Sequence, residues 1–191
     1  MLEAILEWDR NLLVALNSYH APWLDPVMFY ASKTVAWLPL FGFLLYLVVR
    51  WHGKGWWLPL SGVAFSILLT DRITSGFMKP FFQRLRPSQE PVLDGVLHLV
   101  DGYKGGLYGF ASSHAANTFG VAMFFWLLWK NKTRASAWLF LWAGFMTYTR
   151  IYLGVHYPGD VLVGAAVGLV CGWVAYHFVQ RLNKGNEPQL A

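Results

Sequence analysis

Thr149-Arg150-Ile151-Tyr152-Leu153-Gly154-Val155-His156-Tyr157-Pro158-Gly159-Asp160 places a guanidinium, an imidazole and a carboxylate inside otherwise apolar sequence. Apolar residues run up to it from Ala135 and away from it to Val179. Charges between two such runs are costly enough to need a reason. Pro158-Gly159 marks a turn or a helix start, since Pro is favoured near a helix N-terminus. His156 and Asp160 then lie close together at one helix entry. A carboxylate accepting a hydrogen bond from one ring nitrogen leaves the other free as base or nucleophile. A helix-end salt bridge beside a satisfied histidine has the same spacing, so the stretch acquires chemical meaning only in company.

The surrounding chain is membrane-like. It is 56% hydrophobic and 13% charged, with 11 Trp in 191 residues. Soluble chains carry roughly 25% charged residues, and Trp is enriched at membrane–water interfaces. The reading is an all-α integral membrane protein forming a single domain over residues 1–191. Basic cytoplasmic loops account for the net charge of +5, so no nucleic-acid partner is needed. The lone cysteine, Cys171, excludes an intrachain disulfide. Glu3, Glu7 and Asp9 interrupt the N-terminus where the apolar core of a cleavable signal peptide would begin, so none is expected.

Periodicity gives about five transmembrane helices, at roughly 27–49, 56–78, 113–130, 135–151 and 160–180. Ahead of them, residues 1–22 read as an amphipathic helix on the membrane surface with its connection. Leu2, Ile5, Leu6, Leu12, Leu13 and Leu16 stand against Glu3, Glu7, Arg10, Asn11 and Asn17. Residues 79–111 form a long connection expected to pack on the membrane face, with the aromatic run Tyr103 to Phe110 as an entrance. Residues 181–191 read as a polar, frayed tail. Gly164, Gly168 and Gly172 recur at a spacing that allows close helix packing.

Three polar clusters fall at span ends: Lys79 to Pro87, Ala111 to His114, and Arg150 to Asp160. Antiparallel threading puts all three on one face of the membrane. Lys79, Arg86 and Arg150 supply three cations suited to phosphoryl oxygens. Ser112-Ser113-His114 opens a helix, where free N–H groups favour an anion. Two histidines remain for attack and proton donation. His156 and Asp160 are also spaced as two metal ligands, but three neighbouring cations argue against a metal. Asp71-Arg72 reads as a buried pair fixing the second span, with a direct substrate role as the alternative; Arg84 reads as interfacial, His98 and Lys104 as solvated loop residues with a head-group contact as the alternative, and His20, His52 and His177 as interfacial or exposed.

Lys79, six residues, Arg86-Pro87; then Ser112-Ser113-His114; then Arg150, five residues, His156, three residues, Asp160. This order resembles the three-part signature of the type 2 phosphatidic acid phosphatase family, whose superfamily includes acid phosphatases and vanadium haloperoxidases. The resemblance covers residues from about 70 to 165. It implies a lipid phosphatase with His156 as nucleophile, Asp160 orienting it and His114 protonating the leaving oxygen. Lys79, Arg86, Arg150, Ser112 and Ser113 would hold the phosphate, with no metal and no cofactor. A phosphoryl transferase, or a non-catalytic lipid-phosphate binder, would share much of this pattern. The second motif departs from the family's usual Pro-Ser-Gly-His: Ala111 gives up a fixed φ, and Ser113 replaces a glycine whose N–H would face the phosphate.

The partner implied is a membrane lipid carrying a terminal phosphate or diphosphate: undecaprenyl diphosphate, lipid A, phosphatidic acid or phosphatidylglycerol phosphate. The loops opposite the motifs hold Arg50, Lys54, Lys130, Lys132 and Arg134. By the Lys/Arg rule those loops are cytoplasmic, in a bacterial-type plasma membrane, and the site faces the periplasm or exterior.

Overall fold

The computed structural model describes residues 1–185. Eight α-helices make up most of them: α1 (Leu2–Asn17), α2 (Asp25–Ala31), α3 (Leu38–His52), α4 (Trp57–Asp71), α5 (Lys79–Phe82), α6 (Ser113–Trp129), α7 (Trp138–Tyr152) and α8 (Pro158–Gly185). There is no strand among the described residues, only an isolated bridge between Leu85 and Tyr108. Local chemistry sets several boundaries. Gly53, at φ +53°, ends α3 where a side chain would be strained. Ser112 caps α6, its hydroxyl accepting from the Ala115 N–H at 3.5 Å. Pro158 opens α8 with Asp160 in the first turn, where a carboxylate suits the helix dipole. Between α4 and α5 the rod widens into a π-helical segment, Arg72–Met78.

Two stretches, Thr34–Gly55 and Pro158–Asn183, are by themselves long and apolar enough to cross a bilayer, with mean hydropathies of 1.6 and 1.8. The other helices of the bundle are shorter or carry polar residues at their site ends. The frayed tail expected from Arg181 is still helix as far as Gly185, and the remainder of it lies outside the described residues.

Helix α6 is central, packed against α4, α7 and α8. Its contact with α8 is backbone on backbone. A methyl group on Gly164, Gly168 or Gly172 would run into the carbonyl oxygen of Ser112, Ala116 or Gly120 respectively. The apolar core lies toward the end away from the motifs, around Val48, Phe124, Phe125 and Trp129. Phe43, Leu68, Leu141, Leu162 and Val170 point outward, as lipid-facing side chains do. Lys132 reaches the Trp51 carbonyl at 3.5 Å, so the two basic turns meet at the core end.

At the opposite end α1 does more than float on a surface. Asp9, Leu13 and Asn17, spaced by four, face the protein and are buried. Asn17, expected on the outer polar face, donates to the Tyr152 carbonyl at 2.7 Å and the His98 carbonyl at 3.1 Å. The carbonyls ending a helix lack partners within it, and α7 borrows one from α1. Leu2, Ile5, Leu6 and Trp8 are the exposed apolar side. The 79–111 connection folds over this end in three short 3₁₀ turns, with Leu93 packed against Leu13, Tyr157 and Val161.

Candidate active site

The three motifs meet at the α1 end of the bundle. His156 sits in the turn before α8 and is 1% exposed, and Asp160 is fully buried. The i, i+4 spacing brings His156 Nδ1 to 3.4 Å from Asp160 Oδ2, which also accepts from the Tyr157 N–H at 3.1 Å. On the other side of the ring, Arg86 Nη1 lies 3.1 Å from His156 Nε2. An arginine can only donate, so Nε2 is the acceptor and the ring is neutral with its proton on Nδ1. The Nε2 lone pair therefore faces the cations.

Those cations lack carboxylate partners. Among the described residues, Lys79, Arg86 and Arg150 form no ion pair. Arg150 is 2% exposed, and the buried Nε atoms of both Arg86 and Arg150 have no hydrogen-bond partner. One Arg150 amino group donates to the Tyr103 hydroxyl at 3.3 Å. Unpaired buried guanidinium groups are expensive without an anion. Burial first, then Arg86, Arg150 and Lys79, hold the His156 imidazole well below its ordinary 6.5. Burial and Arg150 likewise lower Arg86.

The second motif contributes unevenly. Lys79 Nζ donates to Ser113 Oγ at 2.8 Å, and the hydroxyls of Thr74 and Ser75 reach the same oxygen at 2.9 and 2.8 Å. The serine standing where the family has glycine thus gains a hydroxyl that positions the lysine. Ser112 does not fit the phosphate-holding role expected of it. Its N–H donates to the Asp160 carbonyl at 3.0 Å, its hydroxyl caps α6, and it is fully buried. It joins the second motif to the third. His114 lines the cavity that His156, Lys79 and Arg86 also line.

Two functional residues escaped the sequence reading. Arg84, expected at the interface, bridges Asp160 Oδ1 at 2.8 Å and Asp9 Oδ2 at 2.7 Å. Its guanidinium stacks 3.9 Å from the centre of the Tyr157 ring. Asp9 in turn accepts from the Gly159 N–H at 2.7 Å, at the start of α8. The signal was the pair Arg84-x-Arg86: in extended backbone, alternate side chains share a face. Backbone bonds from Arg86 N to Leu107 O (3.0 Å) and Gly109 N to Arg84 O (2.9 Å) hold that conformation. Part of the run Tyr103 to Phe110 is thus a strap over the site.

Other expectations change. Asp71 and Arg72 are both exposed and form no pair, and Asp71 lines the cavity. Adjacent helical residues point in different directions, so neighbours in sequence cannot readily pair. His98 is no solvated loop residue: its Nε2 sits 2.9 Å from Asp25 Oδ1, and its ring stacks 3.8 Å from His20.

A buried histidine beside a carboxylate, facing three cations at one end of a helical bundle, is an arrangement suited to holding a phosphoryl group. Residues 56–184 match the PAP2 superfamily model. The chain is 37% identical over 185 residues to a lipid A 4'-phosphatase of Bacteroides thetaiotaomicron, covering 95% of this chain and 81% of that one. The crystal structure of LpxE from Aquifex aeolicus superposes with a TM-score of 0.67 at 26% identity, over 87% of this chain and 93% of that one. A transmembrane PAP2-type phosphatidylglycerolphosphate phosphatase from Bacillus subtilis shares the fold, with a TM-score of 0.66 at 21% identity over 97% and 89% of the two chains. The chain belongs to the type 2 phosphatidic acid phosphatase family. It is a membrane lipid phosphatase, a hydrolase.

Proposed function

We propose that this phosphatase removes a phosphate from an acylated amino-sugar lipid of the lipid A type, through a phosphohistidine. The supporting observation is a cavity of about 700 Å³ that joins Lys79, Arg86, His114 and His156 to an apolar wall including Phe41 and Trp142. Phosphate and acyl chain can occupy it together. Two relatives, 37% and 36% identical over 95% of this chain, are lipid A 4'-phosphatases.

In this mechanism the phosphoryl group lies among Lys79, Arg86, Arg150 and the N–H groups opening α6, with Ser113 in the hydroxyl network behind it. A phosphate oxygen takes over the Arg86 donor, freeing His156 Nε2 to attack phosphorus. Asp160 steadies the proton on Nδ1 as positive charge develops on the ring. His114 gives a proton to the leaving sugar oxygen, then takes one from the water that cleaves the P–N bond and restores His156. The cations act on charge carried by the equatorial oxygens. About five helices, α3, α4, α6, α7 and α8, would cross the bilayer. With the basic turns cytoplasmic, the site opens to the periplasm or exterior.

The test is phosphate release by purified protein from lipid A, undecaprenyl diphosphate, phosphatidic acid and phosphatidylglycerol phosphate, with and without an added alcohol acceptor. Preferred release from lipid A is expected, with water as acceptor. Binding without release, or phosphate appearing only on the added acceptor, would replace the hydrolase reading with a binder or a transferase.

A further inference from the structure

Much of the cavity wall is apolar, and polar residues from two helices meet along one part of it. Asp71, Ser75 and Lys79 line it at four-residue intervals along α4, the π-helical segment and α5. His114 and Asn117 line it from α6. Lys79 Nζ reaches back to Ser75 Oγ at 3.3 Å, so at a rise of about 1.5 Å per residue Asp71 stands roughly 6 Å below the ammonium. Leu44, Val63 and Phe125 belong to the same wall.

Asp71 has no ion-pair or hydrogen-bond partner among the described residues, although it belongs to a membrane-embedded helix. An ionisable side chain at that depth is costly unless something uses it. Asn117 is fixed at one end: its Oδ1 accepts from the Thr70 hydroxyl. Its Nδ2 has no hydrogen-bond partner among the described residues, and the side chain lines the cavity. The cavity therefore offers one carboxylate acceptor and one amide donor at the same level of the bundle, since Thr70, the residue before Asp71, is the group that binds Asn117.

We infer that Asp71 and Asn117 form a subsite that reads a secondary amide linking the lipid's acyl chain to its phosphorylated head. An amide carries both complements: its N–H meets the Asp71 carboxylate and its C=O meets Asn117 Nδ2. A glycerol ester has an acceptor only and leaves Asp71 unanswered. An isoprenoid chain has neither group and would bury both unpaired. Unpaired buried polar groups are what reject the wrong ligand most strongly. This deepens the proposed substrate, since lipid A carries amide-linked acyl chains, but it concerns the amide and can be judged without lipid A.

The experiment measures kcat/KM of wild type, Asp71→Asn, Asp71→Leu and Asn117→Ala on lipid A and on a matched pair, ceramide 1-phosphate (amide) and phosphatidic acid (ester). Wild type should prefer the amide lipid. Losing a hydrogen bond to a charged group is worth about 10- to 100-fold. Asp71→Leu should therefore lose about that much on both amide substrates and gain on phosphatidic acid, whose ester no longer strands a carboxylate. Asp71→Asn, which can still accept a hydrogen bond, should fall between wild type and Asp71→Leu. Equal loss on amide and ester lipids would mean that Asp71 acts through the charge of Lys79, and would overturn the subsite. So would unchanged selectivity in the variants, or a wild type indifferent to the amide. Absence of release from lipid A with the amide preference intact would sink the lipid A reading alone.

Discussion

His156 is held between two groups of charges that the protein treats oppositely. In front, Arg86 lies 3.1 Å from Nε2 and Arg150 and Lys79 add their charge, none of the three in an ion pair among the described residues. Behind, Arg84 is fully engaged, one carboxylate on each amino group: Asp160 at 2.8 Å and Asp9 at 2.7 Å. Four cations crowd one imidazole, yet only the rear one is neutralised by the fold. An unpaired cation awaits an incoming anion, whereas a paired one sets the geometry of what it touches. On the proposed mechanism the front binds the phosphate and the rear positions the histidine, and the two halves should fail differently when altered.

The largest effect should come from the residue they share. His156→Ala should abolish turnover and any acid-labile phosphoenzyme while the protein still folds. Asp160→Asn should cost on the order of 10³–10⁴ in kcat, by the logic that an orienting carboxylate fixes the tautomer. Near-normal release by His156→Ala would end the contrast, because neither side would then be serving that ring. On the front, Arg150→Ala should lower kcat/KM by about 10²–10³, the scale of losing one transition-state donor. Vanadate inhibition should weaken in parallel. If inhibition by vanadate is untouched, Arg150 is not meeting the phosphoryl group.

On the rear, Asp9→Asn should reduce kcat by roughly tenfold with KM little changed, since the Arg84 bridge loosens without removing a phosphate ligand. Arg84→Ala should cost more, and about 3–5 kcal/mol of stability as well, because it strands Asp160 in the interior. Arg84→Lys should recover part of the rate. A shift in KM alone would move Arg84 to the front group.

The smallest effect is in pH. Protonation of His156 removes its lone pair, and burial with three cations lowers its pKa well below 6.5. The neutral ring therefore persists as pH falls through 6.5, and kcat/KM should hold there and decline only further into acid. Arg150→Ala should move that acid limb upward. The same depressed pKa means that the unfolded chain binds this proton first, so the group's contribution to stability is lost as pH falls below 6.5. An acid limb at or above 6.5 in wild type would contradict the charge arrangement.

The front group was legible in the sequence and the rear was not. Lys79, Arg86, Arg150, His114, His156 and Asp160 stand at fixed intervals beside helix ends, and interval is what a linear chain displays. The Arg84 bridge needs α1 to return over 70 residues later in the chain; the spacing of Leu13 and Asp9 says that one stripe faces something, without saying what. Asp71 was misjudged for the opposite reason, since Arg72 is adjacent in sequence and turned away in space. Ser112 looked like a phosphate donor because it precedes a helix, yet its N–H was already committed to α8. The helix order followed from periodicity and the close packing of α8 from the glycine spacing, both local properties, whereas the choice of α6 as its partner is not local.

That glycine seam has a consequence for the membrane itself. Because α6 and α8 touch backbone to backbone at Gly164, Gly168 and Gly172, no side chains cushion their separation. His114 begins one of these helices and His156 immediately precedes the other. The gap between the two histidines is therefore gauged by a joint buried in the bilayer, where lateral pressure from the acyl chains acts. Membrane thickness and fluidity become inputs to catalysis, and turnover in vesicles of graded acyl length should change in kcat before it changes in KM.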